Sequence, residues 1–67
     1  MKINWQQLKN LPVETPSGLK LGHVIDCELD TEAWSVEKII VSPGLLKAPL
    51  MIAPTQVVTV EIDRLIV

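Results

Sequence analysis

The stretch that decides the fold is residues 19–42, LKLGHVIDCELDTEAWSVEKIIVS, in the middle of the chain. It contains two extended segments, about residues 19–30 and 34–42, joined by a polar connection. In the first segment apolar residues fall mostly at odd positions and acidic residues at even positions, which is typical of a half-buried strand. Val24 interrupts this alternation, and Gly22 beside it indicates a β-bulge or sharp bend at which the inward face changes. We therefore predict a β-hairpin at the centre of the fold.

Shorter extended segments flank the hairpin on both sides. The predicted strands are residues 11–14, 19–30, 34–42, 50–53, 56–62 and 65–67. Turn residues separate them: TPSG at 15–18, Pro43-Gly44 and Asp63-Arg64. In the fifth strand Val58, Val60 and Ile62 alternate with Val57, Thr59 and Glu61 and are expected to share a face. Six short strands at this spacing predict an all-β fold, a small barrel or sandwich.

The first ten residues, MKINWQQLKN, allow two interpretations. In the first, Asn4 caps a short helical turn with Gln7 as its capping-box partner, and Trp5 and Leu8 fall on one face. In the second, the segment is an edge strand. The helical turn is slightly favoured.

Composition supports the strand prediction and excludes several classes of protein. Val, Ile and Thr make up 19 of the 67 residues, and there is no Phe or Tyr. The chain is too apolar for disorder, and its apolar runs are too short to span a membrane. Because it has one Cys, it can form neither an internal disulfide nor a zinc site built on cysteines. A net charge of −2 gives no electrostatic basis for direct nucleic-acid binding.

Length predicts a single domain, residues 1–67, that is short of buried surface. A domain of this size buries only about 60% of the surface that its unfolded chain exposes. Small domains usually compensate with a disulfide, a metal or a partner chain, and the composition offers neither of the first two. We therefore expect self-association or docking onto another protein. Since the start MKINWQQ lacks the long apolar segment of a secretory signal, we also expect a cytoplasmic location.

The order of several short motifs resembles the PRC-barrel family over roughly residues 8–67. Leu11-Pro12-Val13, a turn ending in Gly, and the core LGHVID at 21–26 resemble the start of that family. A stop at IAP, 52–54, before a Val-rich strand and a closing hairpin resembles its second half. The positions that carry the resemblance are Gly18, Leu21, Gly22, Val24, Asp26 and Pro54.

The resemblance implies a compact six-stranded β-barrel that serves as an interaction module rather than a catalyst. It implies a protein-binding or scaffold role, with cell division or a membrane-associated assembly as the setting. The alternative is a ribosome-maturation type of adaptor, in which this acidic module binds a basic ribosomal protein. We expect neither the transmembrane helix nor the second RNA-facing domain of the two best-known family settings in this protein. The small stand-alone members therefore fit its length best.

Residues that could carry chemistry are few and scattered. His23 is the only histidine, and strand geometry places Asp26 on the opposite face from it. Cys27 lies between two acidic residues, which disfavour a reactive thiolate, so a packing role in the core is expected. The alternating acidic residues at 26–32 suggest either a solvated strand face or a docking surface. We expect no catalytic residue, no metal and no cofactor.

The candidate interface residues are the aromatics and an apolar loop. Each Trp could serve in an interface or fill a barrel end. The apolar loop after Pro43-Gly44 either folds over a barrel mouth or makes contacts with a partner. The predicted interface residues are Trp5, Trp34, Leu45, Leu46, Leu50 and Met51. The expected partners are a second copy of the chain, as a homodimer, and a further protein that the sequence does not identify.

Overall fold

The computed structural model describes all 67 residues, and its elements follow the predicted order closely. The elements are helix α1 (Trp5–Leu8) and strands β1 (Pro12–Glu14), β2 (Lys20–Asp30), β3 (Ser35–Ser42), β4 (Leu50–Ile52), β5 (Thr59–Val60) and β6 (Leu65–Ile66), with a 3₁₀ turn at Pro54–Gln56 before β5. The predicted N-terminal helical turn is confirmed, and the edge-strand interpretation of that segment is wrong. The all-β prediction is confirmed as a small fold made mostly of strands.

The six strands form one mixed sheet in the order β4-β3-β2-β1-β6-β5. All neighbours are antiparallel except β1 and β6, which run parallel. The hairpin of β2 and β3 is the longest pairing and forms the centre that the sequence predicts. No backbone ladder joins β4 to β5, so the sheet is not closed.

Gly22 lies where the main pairing partner of β2 changes from β1 to β3. Its φ is +142°, and a Cβ built at this position would lie 2.0 Å from the carbonyl oxygen of Ser42. Only glycine tolerates both the dihedral and the close approach. The ladders shift register on each side of Gly22, because Leu21 is extra opposite β1 and Ile25 is extra opposite β3. The predicted bulge is thus two bulges, and they turn Val24 inward.

The core consists of six buried side chains drawn mainly from the middle of the sheet. They are Leu11, Val13, Val24, Ile39, Val41 and Leu65. Four of these side chains have less than 2% of their surface exposed. Backbone bonds extend the β1–β2 pairing to Leu11, whose carbonyl oxygen accepts from the Val24 N–H at 3.0 Å. The small core agrees with the shortage of buried surface that the chain length predicts.

The fifth predicted strand, 56–62, is shortened in the structure to Thr59–Val60. Pro54 begins a 3₁₀ turn, and the side chain of Gln56 accepts a hydrogen bond from the Ala53 N–H at 2.8 Å. This turn changes which side chains of the segment face the core. Val57 and Val60 pack against the core, whereas Val58 and Ile62 are exposed, so the predicted apolar face is wrong.

Candidate functional site: an apolar groove and an exposed leucine loop

The hairpin of β2 and β3 extends well beyond the core. We call residues 26–38 its far half and residues 20–25 with 39–42 its near half. In the near half the paired residues Val24 and Val41 are fully buried. In the far half the paired residues Leu29 and Val36 expose 57% and 39% of their surface. Apolar side chains on the far half therefore face solvent.

An apolar groove of about 450 Å³ runs between the far half and α1. Six of its eight lining residues are hydrophobic. The lining residues are Ile3, Asn4, Trp5, Leu8, Asp26, Cys27, Leu29 and Val36. Its volume and apolar lining are those of a typical binding pocket.

The wall of the groove opposite the hairpin is held by a capping box. The Gln7 N–H donates to Asn4 Oδ1 and the Asn4 N–H donates to Gln7 Oε1, both at 2.9 Å. These bonds satisfy two of the free N–H groups at the start of α1 and fix its direction. As a result Trp5 lies along the groove and keeps 39% of its surface exposed.

A second hollow of about 290 Å³ continues the groove toward the core. The two share Ile3, Leu8 and Val36. The hollow lies between β3 on one side and β5 and β6 on the other, and the buried residues Ile39 and Leu65 form part of its lining. The groove is therefore the outer mouth of the opening that the unclosed sheet leaves.

The leucine loop, residues 43–49, lies at the other end of β3. Leu45 exposes 94% of its surface and Leu46 is fully exposed. Leu46 has φ +65° and Gly44 has φ +143°, so two left-handed residues turn the loop away from the sheet. The loop does not fold over a barrel mouth, which excludes one of its two predicted uses.

The remaining predicted interface residues are also accessible. Trp34 has φ +52° in the hairpin turn and exposes 79% of its surface, so it does not fill a barrel end. Leu50 and Met51 lie on the edge strand β4 and are exposed. The structure thus places the six residues in three surfaces: Trp5 in the groove, Trp34 at the hairpin turn, and the other four around the leucine loop.

The signature residues have structural positions. Gly18 has φ +89° and its N–H closes the turn onto the Thr15 carbonyl at 2.9 Å. Asp26 Oδ1 accepts the backbone N–H of Cys27 at 2.8 Å. Pro54 begins the 3₁₀ turn, where its fixed φ and missing N–H are suited to the first position.

Charge is unevenly distributed along the hairpin. The far half contains five acidic residues and one lysine, a formal charge of −4, whereas the rest of the chain carries +2. Asp30 is partly committed to structure, because its Oδ1 accepts the N–H groups of Glu32 and Ala33 at the hairpin turn. Lys47 and Lys20 lie outside the far half, and Lys20 pairs with Glu14 across β1 and β2. Lys2 and Lys9 flank α1 beside the groove.

The groups with chemical potential do not converge. His23 is exposed, and Cys27 is half-buried in the groove wall rather than in the core where the sequence placed it. No three His, Cys, Asp or Glu side chains lie close enough together to hold a metal ion. The longest helix, α1, has four residues, far below the length that crossing a membrane requires.

One ionic cluster holds the last hairpin to the rest of the sheet. Arg64 Nε donates to Glu61 Oε2 at 3.1 Å, and its Nη1 lies 3.8 Å from Glu14 Oε2 on β1. The hydrogen bond and charge of Glu61 are the main causes that raise the pKa of Arg64. This cluster was not predicted from the sequence. The spacing of three residues between Glu61 and Arg64 across a tight turn could have indicated the ion pair between them.

The groove was also not predicted from the sequence, because Ile3, Leu8, Leu29 and Val36 resemble ordinary core positions.

Comparisons with known proteins add no assignment: no protein-family model matches the chain, and a search of curated proteins finds no match.

Proposed function

We propose that this chain is a non-catalytic protein-interaction module of the PRC-barrel type, working as a homodimer. The observation that carries the proposal is its exposed surface. The folded chain exposes 4973 Å², whereas a monomer of its mass, 7.4 kDa, is expected to expose about 4,200 Å². The chain therefore exposes about 770 Å² more surface than expected, and the large hydrophobic side chains of Leu45, Leu46 and Trp34 are among its exposed residues.

The course of the sheet supports the barrel part of the proposal. The 3₁₀ turn that precedes β5 contacts β3, so the chain curls back over the face of its own hairpin. Strand β6 then pairs with β1, and β5 follows it at the far edge. The proposed barrel is completed by side chains across the opening, with Val57 and Val60 on one side and Ile39 on the other.

Apolar surface supplies the affinity in this proposal, and charge supplies the specificity. Exposed Leu45, Leu46 and Trp34 offer the kind of side chains that become buried at interface centres. The charge of −4 on the far half attracts a basic surface and repels an acidic one.

The same charge favours a second candidate function, an adaptor for a basic protein of the ribosome-assembly type. The two candidates differ in their response to salt. A complex held mainly by the acidic far half weakens steeply between 0.05 and 1 M salt, because the Debye length falls from roughly 14 to 3 Å. An apolar homodimer weakens only modestly over that range.

The test is sedimentation equilibrium of the purified chain at both salt concentrations. We expect a mass of twice 7.4 kDa at micromolar to millimolar protein. In the variant Leu46→Asp the dimer should dissociate while circular dichroism stays unchanged, because Leu46 contributes no core contact. A wild-type chain that stays monomeric up to 1 mM would refute the homodimer, and a Leu46→Asp variant that stays dimeric would remove the loop from the interface.

A further inference from the structure

We propose that the leucine loop of one copy docks into the apolar groove of a second copy, and that the exchange is reciprocal. This inference rests on the proposed homodimer and specifies which surfaces meet. It assigns Leu45 and Leu46 as the inserted side chains and Leu29, Val36 and Trp5 as their contacts on the partner copy.

The two surfaces are complementary in shape. The loop projects two adjacent leucines that have almost no contact with their own chain. The groove is concave, has a volume of about 450 Å³, and is open to solvent along Leu29 and Trp5. Projecting apolar side chains and an apolar pocket on one molecule form the pairing expected of a self-complementary interface.

The loop cannot fill its own groove. Val36 lines the groove and Ser42 precedes the loop. Six residue-to-residue steps along β3 lead from one to the other. At about 3.3 Å per residue this separation is roughly 20 Å. Strand β3 is held in ladders with both β2 and β4, so the two ends cannot approach each other. A loop that enters this groove must therefore come from another molecule.

Charge favours the same arrangement. The loop carries one charged residue, Lys47, and the hairpin wall of the groove carries the formal charge of −4 of the far half. Lys2 and Lys9 flank α1, on the other side of the groove. A loop that docks against the hairpin wall places Lys47 near acidic side chains, and a reciprocal exchange does so twice.

The apolar side chains on both surfaces are accessible to a second copy. Each of them exposes at least 39% of its surface: Leu45, Leu46, Leu29, Val36 and Trp5. A reciprocal exchange also closes on itself, whereas a single loop-to-groove contact repeated in one direction would produce an open chain of molecules.

The first test uses the native thiol of Cys27, which lines the groove. Under mild oxidation the variant Leu46→Cys should form a disulfide between position 46 of one copy and Cys27 of the other. The double variant Leu46→Cys/Cys27→Ser should give at least tenfold less cross-linked dimer. The matched control is Ile62→Cys, which places an equally exposed thiol outside both surfaces and should not react with Cys27.

The second test is an exchange of charges between the two surfaces. Leu46→Asp places an anion on the loop, which would face Asp26 in the groove, and Leu29→Lys places a cation in the groove; both sites are exposed, so both variants should fold. Each variant alone should dimerise at least tenfold more weakly than wild type, because each homodimer buries a charge twice in an apolar site. Mixed together, they should form a heterodimer with one native contact and one Lys–Asp pair.

The outcomes separate this inference from the proposed function. If the wild-type chain is a dimer but position 46 does not cross-link to Cys27 and Leu29→Lys does not weaken it, the reciprocal exchange is wrong while the homodimer stands. If the mixture of the two variants stays monomeric, the exchange is likewise refuted. If wild type is monomeric up to 1 mM, both proposals fail, and the groove is left for another protein.

Discussion

The near and far halves of the β2–β3 hairpin both carry apolar residues on paired strands, but they differ in charge and in their surroundings. In the near half Val24 and Val41 are fully buried, and in the far half Leu29 and Val36 are substantially exposed. The difference lies in what packs against them: Leu11, Val13 and Leu65 belong to the same buried cluster as the near-half pair. The far-half pair is outside that cluster. An apolar strand face thus marks either a core or an interface, and its cover decides which.

The largest effect should come from breaking the near half at Gly22. Gly22→Ala would place a Cβ 2.0 Å from the Ser42 carbonyl oxygen, so the two strands must separate. We expect a loss of more than about 3 kcal/mol in the free energy of unfolding, most of what a domain of this size has. Urea unfolding followed by circular dichroism measures it.

Gly44→Ala is the matched control for this substitution. Gly44 has φ +143°, nearly the same as Gly22, but a Cβ there meets nothing within 4 Å. The free energy of unfolding of the Gly44→Ala variant should fall by only about 1–2 kcal/mol, the cost of the unfavourable dihedral. Equal losses at the two glycines would show that the close approach to Ser42 contributes nothing.

A smaller effect separates the two halves directly. Val24→Ala removes buried methyl groups and should lower the free energy of unfolding by about 2 kcal/mol. Leu29→Ala should lower it by less than about 0.5 kcal/mol in dilute, monomeric protein, and by more at concentrations where the groove is filled. A Leu29→Ala loss that is large and independent of protein concentration would mean that the far half belongs to the monomer's core.

An effect smaller than that of Val24→Ala concerns the wall of the groove. Asn4→Ala removes the bond from the Gln7 N–H to Asn4 Oδ1, and it leaves the backbone N–H of residue 4 free to donate to Gln7 Oε1. The loss should cost about 1 kcal/mol at α1, with a change in the fluorescence of Trp5. Gln6→Ala, on the same short helix but without a side-chain hydrogen bond, should change neither. Identical behaviour of the two variants would exclude the capping box as the support of the groove wall.

Local features could be predicted from the sequence because their causes are local. The capping box of Asn4 and Gln7, the turn at Gly18 and the bulge beside Gly22 each depend on a few neighbouring residues. The hairpin followed from the alternation in residues 19–42. For the same reason the exposed leucine loop could be placed among the candidate interface residues.

Features that depend on distant segments could not be predicted in this way. The alternation in 56–62 gave no sign that Gln56 would bond back to the Ala53 N–H and shorten the strand. The groove required knowing that α1 would lie beside the far half and that β1 would end before reaching it. Whether the sheet closes likewise depends on the relative positions of its edge strands β4 and β5. The periodicity of the strands does not encode those positions.

The most direct test of the account is a dilution series followed by amide chemical shifts. We predict that dilution from millimolar to micromolar protein shifts the signals of the groove residues and the leucine loop together, with one apparent dissociation constant. Signals of the near half around Val24 and Val41 should stay fixed. Shifts that are absent throughout, or that occur in the near half and spare the groove, would contradict the claim that the far half is an interaction surface.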